Sequence, residues 1–161
     1  MYFVENIFSK DEQKYLLYLS QKTLIPKEIA VKLNNYQGKE KNFISPDLRI
    51  ISNYDFALNK ILNKINEKLN KNLIIINSWV ATTNGDKIDY HNHPDATWSS
   101  VYYLKTNEEN CGTYFEKHGF IKSKINSLLI FDSKLNHRCP IYTNNETRIT
   151  LAFDFLVKFK L

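Results

Sequence analysis

The spacing of apolar residues changes near residue 72, and that change constrains the fold more than any other feature. From Leu73 onward the chain breaks into short β-prone runs: Leu73–Ile76 continuing through Trp79 and Val80, then Trp98–Leu104, Gly112–Phe115, Ser127–Phe131 and Thr147–Val157. Asn84-Gly85-Asp86 is a turn signal between the first two. Short strands at this density, each ended by a turn, read as an antiparallel sandwich or barrel.

Before residue 72 the period is helical. Ser9-Lys10-Asp11-Glu12 is a capping box opening a helix over 10–23, which Pro26 stops. Residues 24–52 read as irregular, with turns at Gln37-Gly38 and Ser45-Pro46. Phe56, Leu58, Ile61, Leu62, Ile65 and Leu69 then recur every three or four residues, which predicts a second helix over 53–71 with one buried stripe. The expected architecture is mainly β within an α+β class: one domain over 1–161, in which residues 1–72 form a helical support packed on one sheet and 73–161 form the β core.

Two of the four histidines sit together in Tyr90-His91-Asn92-His93-Pro94-Asp95, and a third, His137, follows the apolar run ending at Phe131. In an extended chain residues i and i+2 share a face, so His91 pairs with His93, and His93 with Asp95. Two ligand sets follow. His93, Asp95 and His137 make the facial triad of two histidines and a carboxylate that leaves open positions on Fe(II). His91, His93 and His137 make a three-histidine site suited to zinc or to another non-haem iron chemistry. Along Thr147–Phe155, Ile149, Leu151, Phe153 and Phe155 alternate with Arg148, Thr150 and Ala152. The apolar set fits packing on helices, which turns Arg148 and Thr150 toward the barrel interior. A guanidinium there needs an anion, and a small-molecule carboxylate would pair with it in bidentate fashion.

Together these residues resemble the Fe(II)- and 2-oxoglutarate-dependent oxygenases over about residues 73–157. The likeness rests on His93-Pro94-Asp95, on Trp98-Ser99-Ser100-Val101-Tyr102-Tyr103-Leu104, on Leu129-Ile130-Phe131-Asp132-Ser133 leading to His137, and on Arg148-Ile149-Thr150. More narrowly the chain is similar to small oxygenases of phages and marine bacteria that carry a His-x-His and Ser-Gly-Val-Tyr-Tyr signature, with Ser100 here in place of the glycine. The resemblance implies a double-stranded β-helix (jelly roll) and Fe(II) as cofactor. It implies 2-oxoglutarate and oxygen as co-substrates, and Arg148 holding the far carboxylate with help from Thr150 and the Tyr102 hydroxyl. It implies oxidative decarboxylation to succinate and carbon dioxide, coupled to oxidation of a further substrate. Likeness to prolyl and aspartyl hydroxylases inclines that substrate toward a protein or peptide side chain. Tyr90, Trp98 and Tyr103 stand either at the substrate mouth or in the core. Asp132 and Asp154 receive no role.

Two alternatives differ in class. A cupin-like three-histidine metalloprotein would want a Glu where Thr97 and Trp98 stand, and Pro-x-Gly where Asp132-Ser133-Lys134 stands. A jelly-roll binding module without catalysis would leave Arg148 and the histidines unexplained. The net charge of +5 and pI near 9.1 admit nucleic acid or an anionic metabolite as partner, although lysines spread along the whole chain favour a plain solvated basic surface. Cys111 and Cys139 are too few for a disulfide framework and are expected as reduced thiols. No apolar run is long enough to span a bilayer, and Glu5 without a basic leader argues against a signal peptide. The expected location is cytoplasmic, or the host cytoplasm for a phage-encoded protein, with no membrane partner.

Overall fold

The computed structural model describes residues 1–26, 43–83, 89–109, 111–140 and 147–158. The turns expected at Gln37-Gly38 and Asn84-Gly85-Asp86 lie outside them. In chain order the elements are β1 (Tyr2–Glu5), α1 (Lys10–Thr23), β2 (Ile25–Pro26), β3 (Phe43–Ile44), two 3-10 turns (Leu48–Ile50 and Ser52–Tyr54), α2 (Asp55–Leu69), β4 (Leu73–Thr83), β5 (Trp98–Lys105), β6 (Gly112–Phe115), β7 (Gly119–Lys122), β8 (Ser127–Asp132), β9 (His137–Arg138) and β10 (Arg148–Val157). The strands form a seven-stranded antiparallel sheet in the order β1-β8-β5-β10-β4-β3-β2 and a three-stranded one in the order β7-β6-β9.

The helices form where their local chemistry puts them. Ser9 accepts from Glu12 N, and the Glu12 carboxylate returns to Ser9 N at 2.7 Å, so the expected capping box closes. Asn70, in the left-handed region at φ 49°, ends α2 and donates back to the last turn. Ala57, Leu58, Ile61 and Ile65 of α2, with Leu16 and Leu19 of α1, are buried against one face of the large sheet. There they meet Ile149, Leu151, Phe153 and Phe155 of β10, the apolar set expected to face the helices. Lys60 Nζ, 2.8 Å from both Glu12 carboxylate oxygens, ties α2 to the start of α1.

The other face of the large sheet is the inner one. The register aligns Arg148, Thr150, Ala152 and Asp154 of β10 with Thr83, Ala81, Trp79 and Asn77 of β4. On the other side Thr150, Ala152 and Asp154 pair with Tyr103, Val101 and Ser99 of β5. A second core lies on this face: Tyr103, Leu129 and Phe131 of the large sheet pack with Phe115 of the small one, the Phe115 and Phe131 rings 5.0 Å apart and nearly perpendicular. Gly112 in β6 lets the two small-sheet strands close up, because a Cβ there would meet Ile121 O at 2.4 Å and the Phe120 ring at 2.6 Å.

Five strands are not legible as such in the sequence: β1, which pairs with β8 at the sheet edge, the two-residue β2 and β3 in the stretch expected to be irregular, β7, and the two-residue β9. Among the described residues no helix is long and apolar enough to cross a membrane.

Candidate metal centre

His91, His93 and His137 meet at one end of the inner face. One ring nitrogen from each lies within 4.8 Å of the other two, and the ring centroids stand 4.6 to 5.4 Å apart. A backbone bridge brings them together: His91 N donates to His137 O at 3.0 Å and His137 N to His91 O at 2.8 Å. His93 N donates to Ser133 O at 2.9 Å, and Ser133 Oγ in turn donates to Ala96 O. The segment carrying His91 and His93 is therefore laced by main chain to the segment that runs from Ser133 to His137.

The ring tautomers follow from what each Nδ1 faces. His91 Nδ1 is 3.0 Å from Asp89 O and His137 Nδ1 is 2.9 Å from Leu135 O. A carbonyl only accepts, so each Nδ1 carries the proton and the lone pair sits on Nε2. His93 Nδ1 lies 3.1 Å from a carboxylate oxygen of Asp154, at ion-pair distance. An acceptor facing Nδ1 and a free Nε2 is the usual arrangement of metal-binding histidines. Burial first, and then the neighbouring His91, push the pKa of His137 down to about 3, so it stays neutral and able to ligate at ordinary pH. Phe131 at 4.7 Å and Phe115 at 6.0 Å wall His137, and Trp79 stands 5.6 Å from His93. His137 is 6% exposed while His91 is open to solvent, so the cluster is closed behind and accessible in front.

Asp95 is not part of this cluster, which corrects the two-histidine, one-carboxylate set. The i, i+2 rule holds from His91 to His93, where the chain is extended. It fails one step later, because Pro94 and Asp95 form a turn closed by Ala96 N to His93 O at 3.1 Å, and Asp95 is exposed. The carboxylate near the histidines is Asp154 instead, 4% exposed, with Ser99 Oγ donating to its other oxygen at 2.6 Å. Its position was available from sequence: Asp154 continues the alternation Arg148, Thr150, Ala152.

Arg148 is 4% exposed on the same inner face, at the other end of β10. Its Nη1 is 3.4 Å from Thr150 Oγ1, its Nη2 donates to Gly112 O at 3.2 Å, and its guanidinium stands over the Tyr103 ring at 5.5 Å. Its Nε has no hydrogen-bond partner, and among the described residues no carboxylate is within ion-pair distance. Thr150, 2% exposed, lies beside it as expected. Tyr102 does not, a second correction. It faces the helices, edge-on to Phe8 at 5.1 Å, and its hydroxyl donates to Asn126 Oδ1 at 3.0 Å. Tyr103 occupies the interior position, its hydroxyl 2.7 Å from Thr113 Oγ1. Of the other aromatics, Trp98 packs edge-on to Tyr2 at 6.0 Å, and Tyr90, 40% exposed, covers one side of Arg138. Burial pushes the Cys111 thiol up to about 11, which leaves it a packing residue rather than a nucleophile.

Two facing antiparallel sheets with a histidine cluster at one end of their interior define a double-stranded β-helix metal-site fold, the fold of the 2-oxoglutarate-Fe(II) oxygenases. Solved structures of that kind match nearly the whole chain. A 2OG-Fe(II) oxygenase family oxidoreductase from Burkholderia pseudomallei superposes with a TM-score of 0.72 at 12% identity, over 95% of this chain and 82% of that one. HygX from Streptomyces hygroscopicus, solved with nickel and 2-oxoglutarate bound, gives 0.69 at 10% identity, over 98% and 82%. A Pseudomonas putida prolyl-4-hydroxylase gives 0.66 at 16% identity, over 98% and 92%. No protein-family model and no curated protein sequence matches the chain.

Proposed function

We propose that this chain is a Fe(II)- and 2-oxoglutarate-dependent dioxygenase, a hydroxylase that couples decarboxylation of 2-oxoglutarate to oxidation of a second substrate. One observation carries the reading: the interior between the two sheets holds three imidazoles within ligand distance of one another at one end and, on β10, a buried guanidinium with no carboxylate partner among the described residues. His91, His93 and His137 hold the metal. Arg148, steadied by Thr150 Oγ1 and Gly112 O, pairs with the far carboxylate of 2-oxoglutarate. Phe115, Phe131 and Trp79 keep water from the buried side of the cluster. When bound there, iron with 2-oxoglutarate supplies the oxidising chemistry, releasing succinate and carbon dioxide. Residues 1–72 act as support and 73–161 carry the chemistry. Nickel and 2-oxoglutarate in HygX, and the prolyl hydroxylase likeness, support the cofactor set and a protein or peptide side chain as substrate.

A cupin-like three-histidine centre shares the ligand set but has no use for Arg148. Anaerobic titration with Fe(II) and then 2-oxoglutarate separates the two. A visible charge-transfer band that needs both additions, followed by succinate on admitting oxygen, is the expected result. Tight zinc binding with no band overturns the oxygenase reading.

A further inference from the structure

Resting on the reading of the histidine cluster as a metal centre, we propose that Asp154 is its positioning residue. Through His93 it supplies the negative charge that a carboxylate ligand would supply directly. The three histidines are not equivalent. His91 and His137 have their Nδ1 atoms hydrogen-bonded to neutral backbone carbonyls, of Asp89 and Leu135, whereas His93 Nδ1 has a carboxylate oxygen 3.1 Å away, at ion-pair distance. A carboxylate that close behind the ring makes His93 the most strongly donating ligand of the three.

Charge balance points the same way. Three neutral imidazoles leave a divalent ion its full charge, one unit more than two histidines and a carboxylate would. Asp154 restores that unit from behind the His93 ring, 3.1 Å from its Nδ1. Its own situation requires a positive partner. It is 4% exposed, and among the described residues no lysine or arginine pairs with it; Ser99 Oγ, at 2.6 Å, is a neutral donor. A buried carboxylate in that position is costly unless a cation lies close by. The backbone is also adjusted at this point. The β10–β4 ladder shifts register between Asp154 and Phe155, and bulges commonly re-aim a side chain beside a site.

Asp154→Asn tests this, since it keeps the shape and an acceptor oxygen for His93 but removes the charge. Wild type and variant are titrated anaerobically with Co(II) and with Fe(II), and metal-free thermal unfolding of both is recorded. The variant is expected to bind metal about 10- to 100-fold more weakly, with a metal-free midpoint no lower than that of wild type. A second measurement needs no variant: in the Zn(II)-loaded wild type, the His93 ring N–H proton should resonate downfield of those of His91 and His137. Equal affinity of the two proteins overturns the inference, as does a metal-free midpoint that falls in step with affinity, or three ring protons at one position. Wild type that binds no metal overturns the metal-centre reading itself, a different and distinguishable result.

Discussion

Replacing Arg148 with methionine should move two measurements in opposite directions. The guanidinium is 4% exposed, one of its nitrogens lacks a partner, and its two hydrogen bonds are long at 3.4 and 3.2 Å. Two such bonds contribute about 0.5–1 kcal/mol each, and the stack on Tyr103 about 0.5–2 kcal/mol. Against them stand about 1–3 kcal/mol for the orphaned Nε–H and several kcal/mol for removing a charge from water. Methionine fills most of the volume and carries neither penalty. The ligand-free protein should therefore gain about 1–3 kcal/mol. For a chain of 161 residues that is a rise of about 2–4 °C in Tm per kcal/mol. Affinity for 2-oxoglutarate should fall by about 2–5 kcal/mol, or roughly 30- to 5,000-fold, because a buried ion pair loses one partner. The assay is thermal unfolding of the Mn(II)-loaded protein across a 2-oxoglutarate series. Ligand at a hundred times Kd stabilises wild type by about 2.7 kcal/mol; at the same concentrations the variant should gain less than about 1 kcal/mol. A variant that is less stable than wild type without ligand, yet binds 2-oxoglutarate as well, would show Arg148 to be an ordinary structural residue.

Four further outcomes follow from the structure. His137→Ala removes the most buried of the three imidazoles and should abolish stoichiometric metal binding; full iron occupancy by elemental analysis would sink the cluster as a metal centre. Gly112→Ala places a methyl 2.4 Å from Ile121 O, so urea unfolding should show a loss of about 3 kcal/mol or more. Ile61→Ala, fully buried between α2 and the large sheet, should cost about 2–5 kcal/mol in the same assay. Burial alone would raise the Asp47 carboxyl, but the Arg49 hydrogen bonds and charge, with Ser78, outweigh it and hold the pKa below its ordinary value. Its stabilising effect is present above the unfolded carboxylate range and is lost as pH falls through the lower folded value. Between pH 5 and pH 2 (an acid range of roughly three units around ordinary carboxylate pKa values) wild type should lose more stability than Asp47→Asn, and parallel urea midpoints would contradict this.

The helices were readable because each has one wet side. Polar residues on the outer face leave a clear stripe at Leu58, Ile61 and Ile65, and Ser9 with Glu12 marks a start that needs no tertiary contact. β10 was readable for a related reason. Its helix-facing side is purely apolar, so the charged and hydroxyl residues in between had to face the interior. β5 offered no such contrast. Both faces of Trp98–Lys105 are buried, and a strand buried on both sides loses its alternation. Tyr102 and Tyr103 are adjacent, both 0% exposed, and chemically alike. Only the register against β10, with its shift between Ile149 and Thr150, decides that Tyr103 is the interior one.

The third ligand was ambiguous for a different physical reason. The alternation rule applies only while the chain stays extended, and His93-Pro94 is where it stops. Proline fixes its own φ and readily opens a turn; the turn carries Asp95 out to solvent while the bridge to His137 holds His91 in place. The carboxylate of the site then comes from a strand about sixty residues later, at a position set by pleat rather than by proximity in sequence. A short motif can name the histidines of such a centre, because local chain geometry groups them. It cannot name the acid when the acid acts through a ligand, since that contact exists only after β10 has paired with β4 and β5.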